Sequence, residues 1–163
     1  MTKPSLYLDT SAINFLFADD APEKKEITVD FFDNFIRLGI YDTFITEFVI
    51  AEINQTPSQV ERNQLLKVIE EYPIEVLPVE KIEEIGSLAQ IYLDAGIMPP
   101  KKLFDALHVA FCVVAKIDYL VSWNFKHLAN INRERRILAK NYEIGYIHPL
   151  RIITPTELTG YGN

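Results

Sequence analysis

Leu6-Tyr7-Leu8-Asp9-Thr10-Ser11 is the stretch whose reading decides the fold. Its apolar residues make a short buried strand, a carboxylate ends it, and hydroxyl residues lead into a helix. In an open parallel α/β sheet, ligands bind beyond the carboxyl ends of the strands, and Asp9 falls there. A carboxylate at the tip of a buried strand is costly unless something holds it. A metal ion, a basic side chain or the following helix N-terminus would serve. Asp9 is therefore read in two ways: as the cap of the next helix, or as a ligand for a cation.

Working outward, strands and helices alternate. Ala12 to Phe17 reads as a short helix or turn, and Pro22 suits the first turn of a new helix. Ile27, Phe31, Phe35 and Leu38 keep a helical spacing up to the stop at Gly39. Tyr41–Ile45 is a second strand, and Thr46 opens a helix to about Gln55. Ser58 caps a helix over Gln59–Tyr72. Glu75–Val79 is a weaker third strand, followed by a helix over Glu80–Ala95 that Gly96 closes. A long helix covers about Lys101–Lys116, Tyr119–Ser122 is a fourth strand, and Arg133–Tyr142 is a charged surface helix. Ile147–Ile153 can form a last strand before a turn at Pro155-Thr156-Glu157-Leu158. The alternation predicts a single α/β domain over residues 1–163 with a mostly parallel central sheet.

Composition bounds the function. The chain has 163 residues, 48% hydrophobic and 24% charged, which is enough for a full core. No apolar run reaches the roughly 18 residues of a membrane span, and no signal peptide is expected ahead of the first strand. The lone Cys112 sits in an apolar run, which excludes an internal disulfide and a cysteine-based metal site and fits a reducing cytoplasm. The net charge of −7 argues against non-specific coating of nucleic acid. That charge is uneven: residues 1–96 carry 7 basic and 18 acidic side chains, whereas residues 97–152 carry 9 basic and 4 acidic. The second half therefore offers a phosphate-facing surface, or simply a differently solvated one.

Three acidic residues stand in apolar or strand-terminal surroundings: Asp9, Glu52 in Val49-Ile50-Ala51-Glu52-Ile53, and Asp105 in Leu103-Phe104-Asp105-Ala106-Leu107-His108. They are 43 and 53 residues apart, so only the fold can bring them together. An all-oxygen cluster suits Mg2+ or Mn2+. Forced together without a cation, carboxylates repel and raise one another's pKa. Taken singly, Glu52 can be an edge residue and Asp105 a helix-dipole partner.

These residues carry a resemblance. The chain resembles the PIN-domain family, most closely its compact VapC-type toxin ribonucleases. The matching pieces, in order, are Leu6–Ser11, Ile45-Thr46 through Ala51-Glu52-Ile53, Asp105–Ala110, Tyr119–Leu128 and Ile152–Leu158, and they span nearly the whole chain. The resemblance implies a three-layer α/β/α sandwich, an acidic pocket for one or two Mg2+ or Mn2+ ions, and metal-dependent endoribonuclease activity on RNA. By position, Asp9, Glu52 and Asp105 would be the metal-binding carboxylates. Asn124 stands where the family often has a fourth acid, and His127 occupies the alternative acidic position. The resemblance further implies the toxin half of a type II toxin–antitoxin pair, a small antitoxin protein that blocks the pocket, a homodimer and no membrane association.

Within that reading, Asp9 and Asp105 hold the principal ion and Glu52 completes the acidic wall. Ser122 and Asn124 hydrogen-bond to a carboxylate, a metal-bound water or phosphate. Thr10, Ser11 and Thr46 read first as helix caps. Lys101, Lys102 and Lys126 are the nearest candidates for phosphate contacts, with Arg133, Arg135 and Arg136 further out. Trp123 and Phe125 are either core or base-stacking residues, and His108 reads as packing. Phe31, Phe32 and Phe35 supply either partner surface or core. The alternative function is a degenerate PIN module that binds RNA or protein without cutting, supported by Asn124. A phosphotransferase with Asp9 as nucleophile lacks the second Asp two residues on, where Ser11 stands. A nucleotide-binding regulator lacks a Gly-rich phosphate loop.

Overall fold

The computed structural model describes residues 2–126 and 128–160; His127 lies outside them. Five parallel strands are described: β1 (Ser5–Leu8), β2 (Asp42–Thr46), β3 (Ile74–Leu77), β4 (Tyr119–Val121) and β5 (Arg151–Ile153). Eight α-helices accompany them: α1 (Thr10–Asn14), α2 (Pro22–Phe31), α3 (Glu47–Asn54), α4 (Gln59–Glu71), α5 (Ile82–Asp94), α6 (Leu103–Val114), α7 (Ile131–Ile144) and α8 (Pro155–Thr159). The sheet order is β3-β2-β1-β4-β5, and every pairing is parallel. This is the expected α/β architecture, consistent with a PIN-like three-layer sandwich. No described helix is long and apolar enough to cross a membrane.

β1 is central, so both its faces meet helices, and Leu6, Tyr7 and Leu8 are fully buried. From β1 the chain moves outward through β2 and β3, then returns to the other side of β1 as β4. The strand order therefore reverses between β1 and β4, and there open α/β sheets leave a crevice for ligands. The ladder continues past the strand ends. Asp9 N–H donates to Val121 O at 3.2 Å, and Ser122 N–H donates to Ile153 O at 2.9 Å. Asp9 and Ser122 are thereby held on opposite sides of the reversal.

Local signals account for most boundaries. Pro22 opens α2, Thr46 and Ser58 accept capping hydrogen bonds at α3 and α4, and Gly39 and Gly96 adopt φ +68 after their helices. Most expected bounds shift by one or two residues, and three stretches differ further from the sequence reading. The expected strand over Ile147–Ile153 begins only at Arg151, because Pro149 has no N–H to give a ladder and Leu150 N–H turns back to His148 O. The charged helix is longer, Ile131–Ile144, capped by Asn130 and closed by Gly145 at φ +103. The second helix does not run evenly to Leu38. After Phe31 it widens into a π segment, Phe32–Ile36, with Arg37 N–H bonding Phe32 O at 2.9 Å.

That wide turn puts Phe31, Phe32 and Ile36 all into the core. Phe32 packs edge-on against Phe31 and Tyr72, with ring centroids 5.7 and 5.1 Å away. Phe31 and Phe32 are thus core, not partner surface, and Phe35 is partly buried against them. Cys112 is likewise buried and free. α6 is buried over most of its length, including Asp105 and His108, which lie one turn apart.

Candidate active site

Asp9, Glu52, Asp105 and Asn124 line one cleft of about 400 Å³ beyond the carboxyl ends of β1 and β4, with Lys101 and Lys102 on its wall. Each comes from a different element: Asp9 from the end of β1, Glu52 from α3, Asp105 from the first turn of α6, and Asn124 from the loop after β4. Among the described residues, no three His, Cys, Asp or Glu side chains converge as a ready ligand cluster. Each carboxylate is instead tied to hydrogen-bond donors of this chain.

Asp9 does cap α1, and that does not exhaust it. Oδ1 accepts Ala12 N–H at 3.0 Å and the Ser11 hydroxyl at 2.6 Å, while Oδ2 accepts the Ser122 hydroxyl at 2.5 Å. Burial raises its pKa, and those donors and His108 pull it partly back. Ser11 and Ser122 also accept the N–H groups of Trp123 and Asn124, each at 2.9 Å. The loop after β4 is thereby registered on Asp9.

Ser11 and Thr10 are not helix caps. Ser11 holds Asp9, and the Thr10 hydroxyl donates to Glu52 Oε1. Thr46 does cap α3, accepting Phe48 N–H at 3.2 Å. Its hydroxyl also meets Tyr7 OH at 2.8 Å, Tyr7 OH meets His108 Nδ1 at 2.7 Å, and His108 Nε2 meets Glu52 Oε1 at 3.1 Å. An ionised carboxylate only accepts, so Nε2 carries the proton. His108 thus bridges Glu52 to the Tyr7 hydroxyl, and Tyr7 in turn to Thr46. His108, read from sequence as packing, is fully buried and positions Glu52. Its spacing of three from Asp105 was the available signal, since such residues share a helix face. Burial pushes the Glu52 pKa up, and the hydrogen bonds from His108 and Thr10, with Lys102 nearby, outweigh it, so the net direction is down.

Asp105 is the outlier. Its Oδ2 accepts from Asn124 Nδ2 at 3.1 Å. Burial first, and then the negative charges of Asp9 and Glu52, raise it from 3.8 to about 6, against partial relief from His108 and Lys102. This is uncompensated negative charge in a cleft. The donor set, carboxylates with serine and asparagine oxygens, fits a hard divalent cation such as Mg2+ or Mn2+.

The cationic candidates separate. Lys101 and Lys102 line the cleft, and Arg133 on α7 acts electrostatically on Asp105. Arg136 is turned to Gly96 O at 3.2 Å, and Lys126 and Arg135 are exposed outside the cleft lining. Trp123 is core, with its indole N–H on Thr28 Oγ1 at 2.9 Å.

No protein-family model matches the chain. No curated protein matches it by sequence. Among solved structures it is similar to a chain of the crystal structure of VapBC2 from Rickettsia felis bound to a DNA fragment from their promoter. The match has 13% identity and a TM-score of 0.54, and covers 92% of this chain and 98% of that one. At that identity the likeness is one of fold, and it agrees with the PIN-like architecture expected from the sequence.

Proposed function

We propose that this chain is a metal-dependent endoribonuclease that hydrolyses RNA phosphodiester bonds with Mg2+ or Mn2+, and that it is the toxin of a type II toxin–antitoxin pair. One observation carries the reading: Asp9, Glu52, Asp105 and Asn124, scattered along the sequence, line one cleft at the strand-order reversal. Asp9, Glu52 and Asp105 would hold the ion. A bound divalent ion supplies positive charge for the attacked phosphate and acidifies a water.

The chain's own residues do the rest. Ser11 and Ser122 fix both oxygens of Asp9. Thr10 and His108 fix Glu52 and keep it ionised, so it accepts a hydrogen bond from the nucleophilic water. Lys101 and Lys102 meet phosphate oxygens at the cleft wall. Hydrolysis joins the water oxygen to phosphorus, breaks the bond to the departing ribose oxygen, and delivers a proton to that oxygen. The similar fold occurs in a VapBC complex, which supports a small antitoxin-like partner and a dimer for this chain. The buried free cysteine supports a reducing, cytoplasmic setting.

A second reading, a binding module of the same fold that does not cut, is favoured by Asn124. It stands where an acid is expected and donates to a carboxylate oxygen. Incubating partner-free protein with a mixed pool of structured RNAs separates the two. Cleavage that needs Mn2+ or Mg2+, stops in EDTA and is lost in Asp9→Asn and Asp105→Asn supports the nuclease. Intact RNA together with no calorimetric metal binding favours the binding module.

A further inference from the structure

We propose that Phe125, backed by Lys24, Phe15 and Trp123, is a stacking platform for one unpaired nucleobase of an RNA strand whose backbone enters the cleft. The inference rests on the cleft's being an RNA site, and it adds a base-binding position outside the carboxylate floor. Phe125 is 47% exposed and directly follows Asn124, whose amide contacts Asp105. The exposed ring is not an isolated apolar side chain. Trp123 meets it edge-on, with centroids 6.0 Å apart and planes at 70°, and Phe15 packs behind Trp123 at 5.7 Å.

The Lys24 ammonium lies among the three rings, 5.0 Å from the Phe125 centroid, 5.6 Å from Phe15 and 5.8 Å from Trp123. A cation held against aromatic faces is stabilised by their quadrupoles. It also withdraws electron density from the rings, which favours stacking with an electron-rich base. The same positive charge suits the phosphate that follows a stacked base.

The platform is rigidly registered on the cleft. Trp123 indole N–H bonds Thr28 Oγ1, and the Thr28 hydroxyl bonds Lys24 O at 2.6 Å, which ties the tryptophan to the helical turn carrying the lysine. Trp123 backbone N–H bonds Ser11, which holds Asp9. A base on Phe125 is therefore placed at a fixed offset from the carboxylates. Asn14 and Thr56 line both the cleft and the neighbouring groove that contains Phe15 and Lys24, so the two depressions adjoin. Stacking accepts any base because each has a π face, and it requires that base to be unpaired.

The test is equilibrium anisotropy with a fluorescein-labelled single-stranded RNA octamer and with the same octamer annealed to its complement. Ca2+ replaces Mg2+ to neutralise the carboxylates, so that binding is read apart from cutting. Phe125→Ala weakens single-strand binding roughly 5- to 100-fold, Phe125→Tyr stays within about 2-fold of the parent, and duplex binding is unchanged. Unchanged single-strand affinity in Phe125→Ala overturns the platform, and so does an equal loss for both RNAs, which would make Phe125 a general contact. Phe125-dependent binding, with the structured RNA pool left intact and no calorimetric Mn2+ binding, upholds the platform and refutes the nuclease. Cleavage with no Phe125 effect refutes the platform alone. No RNA binding by the parent overturns both.

Discussion

Asp105→Asn should make the metal-free protein more stable at neutral pH, the opposite of the usual result of changing a buried polar residue. Asp105 is 9% exposed, and burial with the charges of Asp9 and Glu52 raises it from 3.8 to about 6. Between those values the unfolded chain has released its proton while the folded chain keeps it. Stability is thus fully present below the lower value and falls as pH rises through the window. Above it, a penalty of about 3 kcal/mol persists. Asparagine keeps an oxygen to accept from Asn124 and removes the charge. Urea unfolding in EDTA should therefore show Asp105→Asn stabilised by about 1–3 kcal/mol near pH 7.5, shrinking to about 1 kcal/mol or less near pH 4.5. That corresponds to roughly 2–4 °C in Tm per kcal/mol for a chain of this length. Mn2+ should then stabilise the parent and not the variant, because a ligand stabilises only the form that binds it. Destabilisation at neutral pH, or a difference that does not change with pH, would refute the charge-crowding argument.

Other perturbations follow from the same geometry. His108→Ala leaves Glu52 and the buried Tyr7 hydroxyl without their shared partner, and urea denaturation should show a loss of about 2–4 kcal/mol. Ser122→Ala removes the donor to Asp9 Oδ2 and the acceptor of Asn124 N–H; calorimetric Mn2+ affinity should fall roughly 10- to 100-fold. Gly96→Ala has open space for its methyl but forces φ +68 on an alanine, so a thermal melt should register a cost of about 1 kcal/mol.

The sheet was legible because its strands are short apolar runs separated by helices with clear punctuation. Pro22, Gly39, Thr46, Ser58 and Gly96 each act locally, and each did what its chemistry suggests. The π segment was not legible. One extra residue in a turn leaves the apolar spacing of Phe31 and Phe35 intact while bringing Phe32 into the core. The last strand was over-read because Ile147 and Leu150 look strand-like, although Pro149 cannot join a ladder and Ile147 is 80% exposed.

The cleft was legible in its carboxylates, since acids in apolar settings are conspicuous. Its supports were not. Tyr7 looks like any strand residue, and only the fold shows its hydroxyl between Thr46 and His108. Thr10 and Ser11 have the composition of caps, yet Asp9 caps α1 and frees both hydroxyls to hold carboxylates. Trp123 and Phe125 are two residues apart and both aromatic, but the indole N–H finds a buried partner on Thr28 and the phenyl ring, without such a handle, stays at the surface.

The central proposal is that Asp9, Glu52 and Asp105, which line one cleft, hold a divalent cation. Calorimetric titration of Mn2+ into the metal-free protein tests it most directly, repeated with Asp9→Asn, Glu52→Gln and Asp105→Asn. Saturable binding that releases protons near pH 6, as Asp105 ionises, and that each substitution weakens at least roughly 10-fold, is the expected result. Absence of saturable binding in the parent, or binding that all three substitutions leave intact, would contradict it.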